Sequence, residues 1–288
     1  MKLEVYYENS EKNKKIVFDE KEYGISDFDL FRHKFKYSAK NDKIENFTIG
    51  ITERKVEVTV TGNKKKSWQE LYDEMNGVFD RDVLLKKPGR LYVNDSYISC
   101  FFVATTPAEM FEDWGFQTVE LEMVTDKAAW ITEQTTRIEP ITNVTPLNTK
   151  GSKEKGYPYE YPYRYPFLKT QTSIYIDHYV ESDFKMKIYG PTLSVNINIA
   201  NHPYKVEYPI KKGEYIVIDS RSHVPKEERL YLVKKDGGRE NVFNYRDTEY
   251  GVFKKIPPGN VMVDYPRTYG IDLTIFKERS EPAWISSH

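Results

Sequence analysis

Apolar and polar residues alternate in short runs along most of this chain. Val56, Val58 and Val60 alternate with Glu57, Thr59 and Thr61, and Val119, Leu121 and Met123 alternate with Glu120 and Glu122. Leu193, Val195, Ile197 and Ile199 alternate with Ser194, Asn196 and Asn198. A period of two sends the apolar set to one side of a strand and the polar set to the other, so each run predicts a strand with one buried and one wet face. A single segment changes period. Trp68, Leu71, Tyr72, Met75 and Phe79 recur at helical spacing. Ser67 and Glu70 before and within this run are the two parts of a capping box. They predict a helix with its aromatic stripe on a sheet, ending or fraying at Asn76-Gly77. A partner-binding groove is the alternative reading of the stripe.

Turn signals divide the rest. Lys86-Lys87-Pro88-Gly89-Arg90 reads as a turn, and Leu91-Tyr92-Val93 and Tyr97-Ile98 flank Asn94-Asp95 as arms of a tight hairpin. Strands, one helix and further strands give residues 1–131 an α+β pattern. Residues 132–156 are polar with no sustained apolar period and read as a linker or extended arm. Residues 157–288 return to short strands, with turns at Gly190-Pro191, Lys212-Gly213, Asp236-Gly237-Gly238 and Pro257-Pro258-Gly259. Strands so spaced predict a β-sandwich or jelly roll. The expected fold class is mainly β.

At the head of the second domain Tyr157, Tyr159, Tyr161, Tyr163 and Tyr165 alternate with Pro158, Glu160, Pro162, Arg164 and Pro166. Proline at alternate positions excludes a central strand and fits an extended edge or a polyproline-like segment. If the segment is straight, all the rings point one way. Packing on its own domain, contact with a subunit or partner, and stacking on sugar rings are all open to such a ladder.

Composition acts mainly by exclusion. A chain of 288 residues can bury a core without disulfide staples. Its 43 Lys+Arg against 44 Asp+Glu argue against a nucleic-acid binder working through bulk positive charge. Cys100, in the apolar run Tyr97–Val103, reads as a buried small hydrophobe. Acidic residues interrupt the N-terminal apolar stretch, and no run of about 18 apolar residues occurs, so a cytosolic, membrane-free protein is expected. His33, His178, His202, His223 and His288 form no pair at metal-ligand spacing with one another or with cysteine. Asp177-His178 has no nucleophile motif beside it, and no phosphate loop or dinucleotide fingerprint occurs. No catalytic, metal-binding or cofactor-binding residue is assigned, and no cofactor is expected.

Four motifs then stand in order in the C-terminal half. The first is Ser182-Asp183-Phe184-Lys185-Met186-Lys187-Ile188-Tyr189-Gly190-Pro191, and the second Lys212-Gly213-Glu214-Tyr215-Ile216-Val217-Ile218-Asp219-Ser220. Asn241-Val242-Phe243-Asn244 leads to the Ile256-Pro257-Pro258-Gly259 turn, and Ile271-Asp272-Leu273-Thr274-Ile275 leads to Phe276-Lys277-Glu278-Arg279-Ser280-Glu281-Pro282-Ala283-Trp284. In this order and spacing the chain resembles the distal tail protein (Dit) family of siphovirus-type phages. The looser N-terminal match rests on the helix near Trp68, Pro88-Gly89-Arg90-Leu91 and Phe116-Gln117-Thr118-Val119-Glu120-Leu121. Where many relatives close this domain with an apolar-Pro-aromatic sequence, this chain has Ala128-Ala129-Trp130.

The resemblance implies a structural protein of the virion tail tip, assembled in the host bacterial cytoplasm, and not an enzyme. It implies a homohexameric ring built by the N-terminal domains, with galectin-like C-terminal sandwiches projecting outward. The implied partners are the major tail tube protein, the tail-associated lysin or tail-tip hub and, in many phages, receptor-binding proteins. Leu91, Tyr92, Val93, Tyr97 and Ile98 are the candidate subunit interface, because unpaired strand edges can extend a neighbour's sheet. The Tyr157–Tyr165 ladder is the candidate partner or sugar contact. A cell-wall carbohydrate-binding β-sandwich protein is the alternative function.

Overall fold

The computed structural model of the chain describes residues 3–19, 21–25, 33–48, 50–108, 115–141 and 171–283. They fall into two compact units, Met1–Glu133 with Glu278–His288, and Gln134–Lys277. Both are built mainly of antiparallel strands, as the alternating pattern predicts.

The first unit opens with β1 (Val5–Glu8), β2 (Lys15–Phe18), β3 (Tyr23–Ile25), β4 (Lys36–Lys40), β5 (Lys43–Thr48) and β6 (Thr52–Thr61). Helix α1 (Trp68–Leu85) follows, then β7 (Gly89–Val93), β8 (Ser96–Pro107) and β9 (Phe116–Thr125). Strand β8 is the pivot: Ser96–Cys100 pair with β7, whereas Phe101–Pro107 pair with β9. A register shift between Phe102 and Ala104 lies where it changes partner, and such a bulge bends and twists a strand. The order is β2-β1-β7-β8 on one side of the pivot and β8-β9-β6-β3 on the other. Inward residues of both halves, including Tyr7, Val58, Leu91, Ile98, Leu121 and Met123, make one core.

Helix α1 closes this core with Leu71, Met75, Val78 and Phe79. Ser67 and Glu70 form both bonds of the capping box. Losing the cap in Ser67→Ala should cost about 1 kcal/mol, read as a lower denaturation midpoint; an unchanged midpoint would refute the assignment. Asn76-Gly77 does not end the helix, which runs eight residues further to Leu85. Glycine costs a helix roughly 1 kcal/mol, and burial of Val78, Phe79 and Asp82 beyond it outweighs that. The helix stops at Lys86, which takes the left-handed conformation (φ 53°) and donates its N–H to the Val83 carbonyl.

Asp82 ties the helix to the sheet. Its carboxylate accepts the Tyr7 hydroxyl at 2.7 Å, the Ser10 hydroxyl at 2.6 Å and the Ser10 N–H at 3.0 Å. Gly89 lies beside this cluster because a Cβ there would sit 2.1 Å from the Tyr7 hydroxyl. Burial raises the Tyr7 phenol far above its ordinary range, and the neighbouring Cys100 and Asp82 push the same way.

The chain passes into the second unit along β10 (Trp130–Ile138) and leaves it along β19 (Ile271–Arg279). The linker expected from residue 132 therefore does not begin there. Thr132–Ile138 is strand, its polar residues Glu133, Thr135 and Arg137 belonging to a ladder rather than a tether. Glu278–Ala283, assigned by sequence to the second domain, cluster with the first unit. There the Ala283 N–H donates to the Ser96 hydroxyl at 3.0 Å, and the Asn94 amide donates to the Ala283 carbonyl at 3.2 Å.

The second unit contains β11 (Gln171–Ile176), β12 (Asp183–Tyr189), β13 (Val195–Ile199), β14 (His202–Val206), β15 (Tyr215–Asp219), β16 (Leu230–Val233), β17 (Arg239–Asn241) and β18 (Gly259–Asp264). One sheet runs β17-β16-β15-β12-β19, and the other β11-β18-β13-β14. Phe184, Met186 and Ile188 from the first meet Ile197, Val261 and Val263 from the second in one core, the arrangement of a sandwich. The predicted strand from Leu193 starts instead at Val195, and Leu193 is 87% exposed. Asp236-Gly237-Gly238 turns β16 into β17 as predicted, with Gly237 at φ 86°.

Candidate functional site

The residues nearest to a reactive arrangement lie in the second unit. The Ser220 hydroxyl donates to Asp183 at 2.9 Å and accepts the Phe184 N–H at 2.8 Å, while Lys255 Nζ lies 2.9 Å from the other Asp183 oxygen. Its proton is already held by a carboxylate that a lysine neutralises, and Ser220 is buried. The trio staples β12 to β15 rather than arming a nucleophile. Cys100 is fully buried, and desolvation pushes its thiol up to about 12, which suppresses the reactive thiolate. Among the described residues no group of three or more His, Cys, Asp or Glu could hold a metal. Among them, too, no helix is long and apolar enough to cross a membrane.

The hairpin proposed from sequence as a subunit contact forms, with Asn94 at its turn (φ 50°), but lies inside the sheet. Strand β7 pairs with β1 along Leu91-Tyr92-Val93 on one side and with β8 on the other. Strand β8 has β10 beside Ser96 and Tyr97. Leu91, Val93, Tyr97 and Ile98 are buried in their own unit. Tyr92, half-exposed, stacks on Tyr6 with ring centroids 4.6 Å apart, and Lys15 caps the stack 3.2 Å from the Tyr6 ring. Burial first, and then Tyr92, push the Tyr6 phenol up to about 12. Leu91, Tyr92 and Val93 have a strand on each side and Tyr97 pairs with both β7 and β10, so among the described residues these positions leave no free edge to extend a neighbour's sheet. The tyrosine ladder Tyr157, Tyr159, Tyr161, Tyr163 and Tyr165, and Trp284, lie outside the described residues.

Two surface features are better placed for assembly. The first is the hairpin of β4 and β5, a separate two-stranded sheet. Its turn is Asn41-Asp42, both left-handed (φ 51° and 58°), as a two-residue hairpin turn requires. Tyr37 stands opposite Phe47, and Ala39 opposite Ile44, with a register shift between Ser38 and Ala39. Cross-strand partners share a face. The extra residue, Glu45, lets Ile44 and Phe47, three apart, lie on the same face as Tyr37 and Ala39. Phe35, two residues before Tyr37, completes that face and meets Phe47 edge-on at 6.5 Å. Exposure is 67% for Tyr37, 60% for Phe47, 58% for Ile44 and 43% for Phe35. The opposite face carries Lys36, Lys40 and Lys43. A lone two-stranded hairpin is marginal in water, and among the described residues this face is left largely exposed. The alternation of Phe35, Tyr37 and Ala39 around an Asn-Asp turn was the sequence signal for this hairpin, and the sequence reading passes it over.

The second feature is a groove of about 320 Å³ lined by Trp68, Gln69, Tyr72, Asp73, Pro107 and Gln117. The capping box sets the start of α1, which aims Trp68 and Tyr72 over the ends of β8 and β9. Both rings are only half-buried, whereas Leu71, Met75 and Phe79 fill the core. The helix stripe thus splits into a core row and a groove row.

No family profile matches the chain, and no curated protein matches it. Solved structures do. A chain of the phage p2 baseplate in its activated conformation with calcium superposes at TM-score 0.61 with 14% identity, over 98% of this chain and 100% of that chain. The strontium form of that baseplate gives the same values. The SPP1 Dit protein, described as a paradigm of the hub adsorption apparatus in phages infecting Gram-positive bacteria, superposes at TM-score 0.53 with 10% identity, over 97% and 100%. At such identities the shared property is the fold. Both units thus have the fold of phage baseplate and Dit hub proteins.

Proposed function

We propose that this protein is a structural component of a phage tail tip, a Dit-type hub, and that it acts by shape and mutual contact rather than by catalysis. The observation carrying this reading is the correspondence over 98% of this chain and 100% of the p2 baseplate chain. In this reading six copies close into a ring through head-to-tail contacts, since an interface between two different patches of one chain closes only as a ring or runs on as a filament. The ring joins the tail tube protein on one side to the tail-associated lysin or tip hub on the other, and scaffolds receptor-binding proteins. It belongs to the virion and is assembled in the host cytoplasm. Native mass spectrometry of the purified full chain is expected to show a sixfold species, and negative-stain images a ring with a central passage. A strictly monomeric protein that binds glycans on an array, and loses them on Tyr161→Ala with Tyr163→Ala, would replace this reading with the carbohydrate-binding one.

A further inference from the structure

We propose that Glu278–Ala283, the end of β19 and the residues after it, act as a strap that holds the base of the β4–β5 hairpin and so limits how freely the hairpin opens. The inference does not rest on the tail-tip reading, because the contact lies within one compact unit of one chain. The hairpin needs such a mount. Among the described residues β4 and β5 pair with each other alone, so no ladder ties them to the larger sheet of their unit. The strap lies against the hairpin's base. His33 Nδ1 is 3.3 Å from Glu281 Oε1, and the His33 ring meets Phe35 edge-on at 5.9 Å. His33, Lys34 and Phe35 line a small hollow together with Ala128 and Ser280. The strap is itself fastened to the first unit along its length. Lys127 Nζ lies 2.5 Å from Glu278 Oε2, Pro282 is buried, and Ala283 is bonded to Ser96 and Asn94. Glu281 is thus a positioning residue that acts on the hairpin through His33. An exposed ion pair contributes little to a strand anchored in a core. It matters more for an element held by few contacts, because local opening costs least there.

The test is amide hydrogen exchange of the full chain, read by mass spectrometry on fragments covering β4 and β5, with all variants at one protein concentration. Glu281→Lys places a lysine beside His33 and Lys34 at an exposed position. Exchange in the hairpin should speed up roughly two- to fivefold, the range that loss of an exposed ion pair allows, while β7 and β8 keep the parent's rates. His33→Glu should do the same from the other side of the contact. The double variant, His33→Glu with Glu281→Lys, restores an opposite pair and should return the hairpin to the parent's rates, which a contact that matters only through its shape would not do. Arg81→Glu breaks the exposed pair of Arg81 with Glu11 on the helix of the same unit and should leave hairpin exchange unchanged. Hairpin rates equal to the parent's in both single variants would overturn the strap, and so would a double variant that exchanges as fast as either single one. An acceleration spread equally over β7 and β8 would overturn it too, because Glu281 would then be stabilising the unit as a whole rather than holding one element.

Discussion

Replacing Asp82 by alanine is expected to destabilise the first unit by about 3 kcal/mol, because a buried donor left without its acceptor costs roughly 1–3 kcal/mol. Asp82 is fully buried and is the shared acceptor for the Tyr7 hydroxyl and for two donors of Ser10. Alanine strands all of them at the contact between α1 and the end of β1. Tyr7→Phe removes one donor and leaves the carboxylate bonded to Ser10, so its cost should be smaller, about 1–2 kcal/mol. Chemical denaturation gives the totals, and amide exchange locates the loss. Protection should fall in β1 and α1 and persist in β12 and β19. An Asp82→Ala protein within about 0.5 kcal/mol of the parent, the range of an ordinary surface change, would show that the cluster contributes little.

The second large effect is expected in the sandwich. Phe184 is fully buried at the centre of the core and packs edge-on against Tyr204, with ring centroids 5.4 Å apart. Truncation to alanine removes the ring and leaves a cavity, a loss of about 3–5 kcal/mol. The backbone bond from Phe184 N–H to Ser220 does not depend on the side chain, so β12 and β15 should stay registered while packing loosens. Tyr175→Ala, at an exposed position on the other sheet, should change stability by no more than about 0.5 kcal/mol. The experiment compares denaturation midpoints of the two variants. Equal midpoints would mean that Phe184 does not anchor this core.

Both residues illustrate what could be read in advance. Phe184 belongs to an alternating run inside a recognised motif, so its inward direction was legible. Asp82 lay beyond the end expected for the helix at Asn76-Gly77 and looked like one more polar residue. Its role appears only when residues 7 and 10 arrive beside it, and no local pattern announces a partner more than 70 positions away. The candidate contact residues divide the same way. The hairpin around Asn94-Asp95 was legible as a hairpin, but its suitability as an edge was not. Strand β1 and strand β10 take both edges, and each comes from a distant part of the chain. The aromatic stripe of α1 was legible as a stripe, with a groove as one of its readings. Which rings fill the core and which line the groove depends on where the helix lies against strands that carry Pro107 and Gln117, distant in sequence.

By itself the sequence determined the strand-rich class, the start and cap of the long helix, the burial of Cys100 and the likeness to tail-tip proteins. These follow from short-range causes: a period of two, a period of 3.6, a side chain that reaches its own backbone, and motif order. Only the tertiary structure decided which strand edges are closed, which apolar face is left bare, and that Glu45 turns Ile44 and Phe47 to one side of a hairpin. A pattern of hydrophobic positions says which face of an element avoids water. Which element covers that face, or whether a second molecule must, is settled by contacts between residues far apart in the chain.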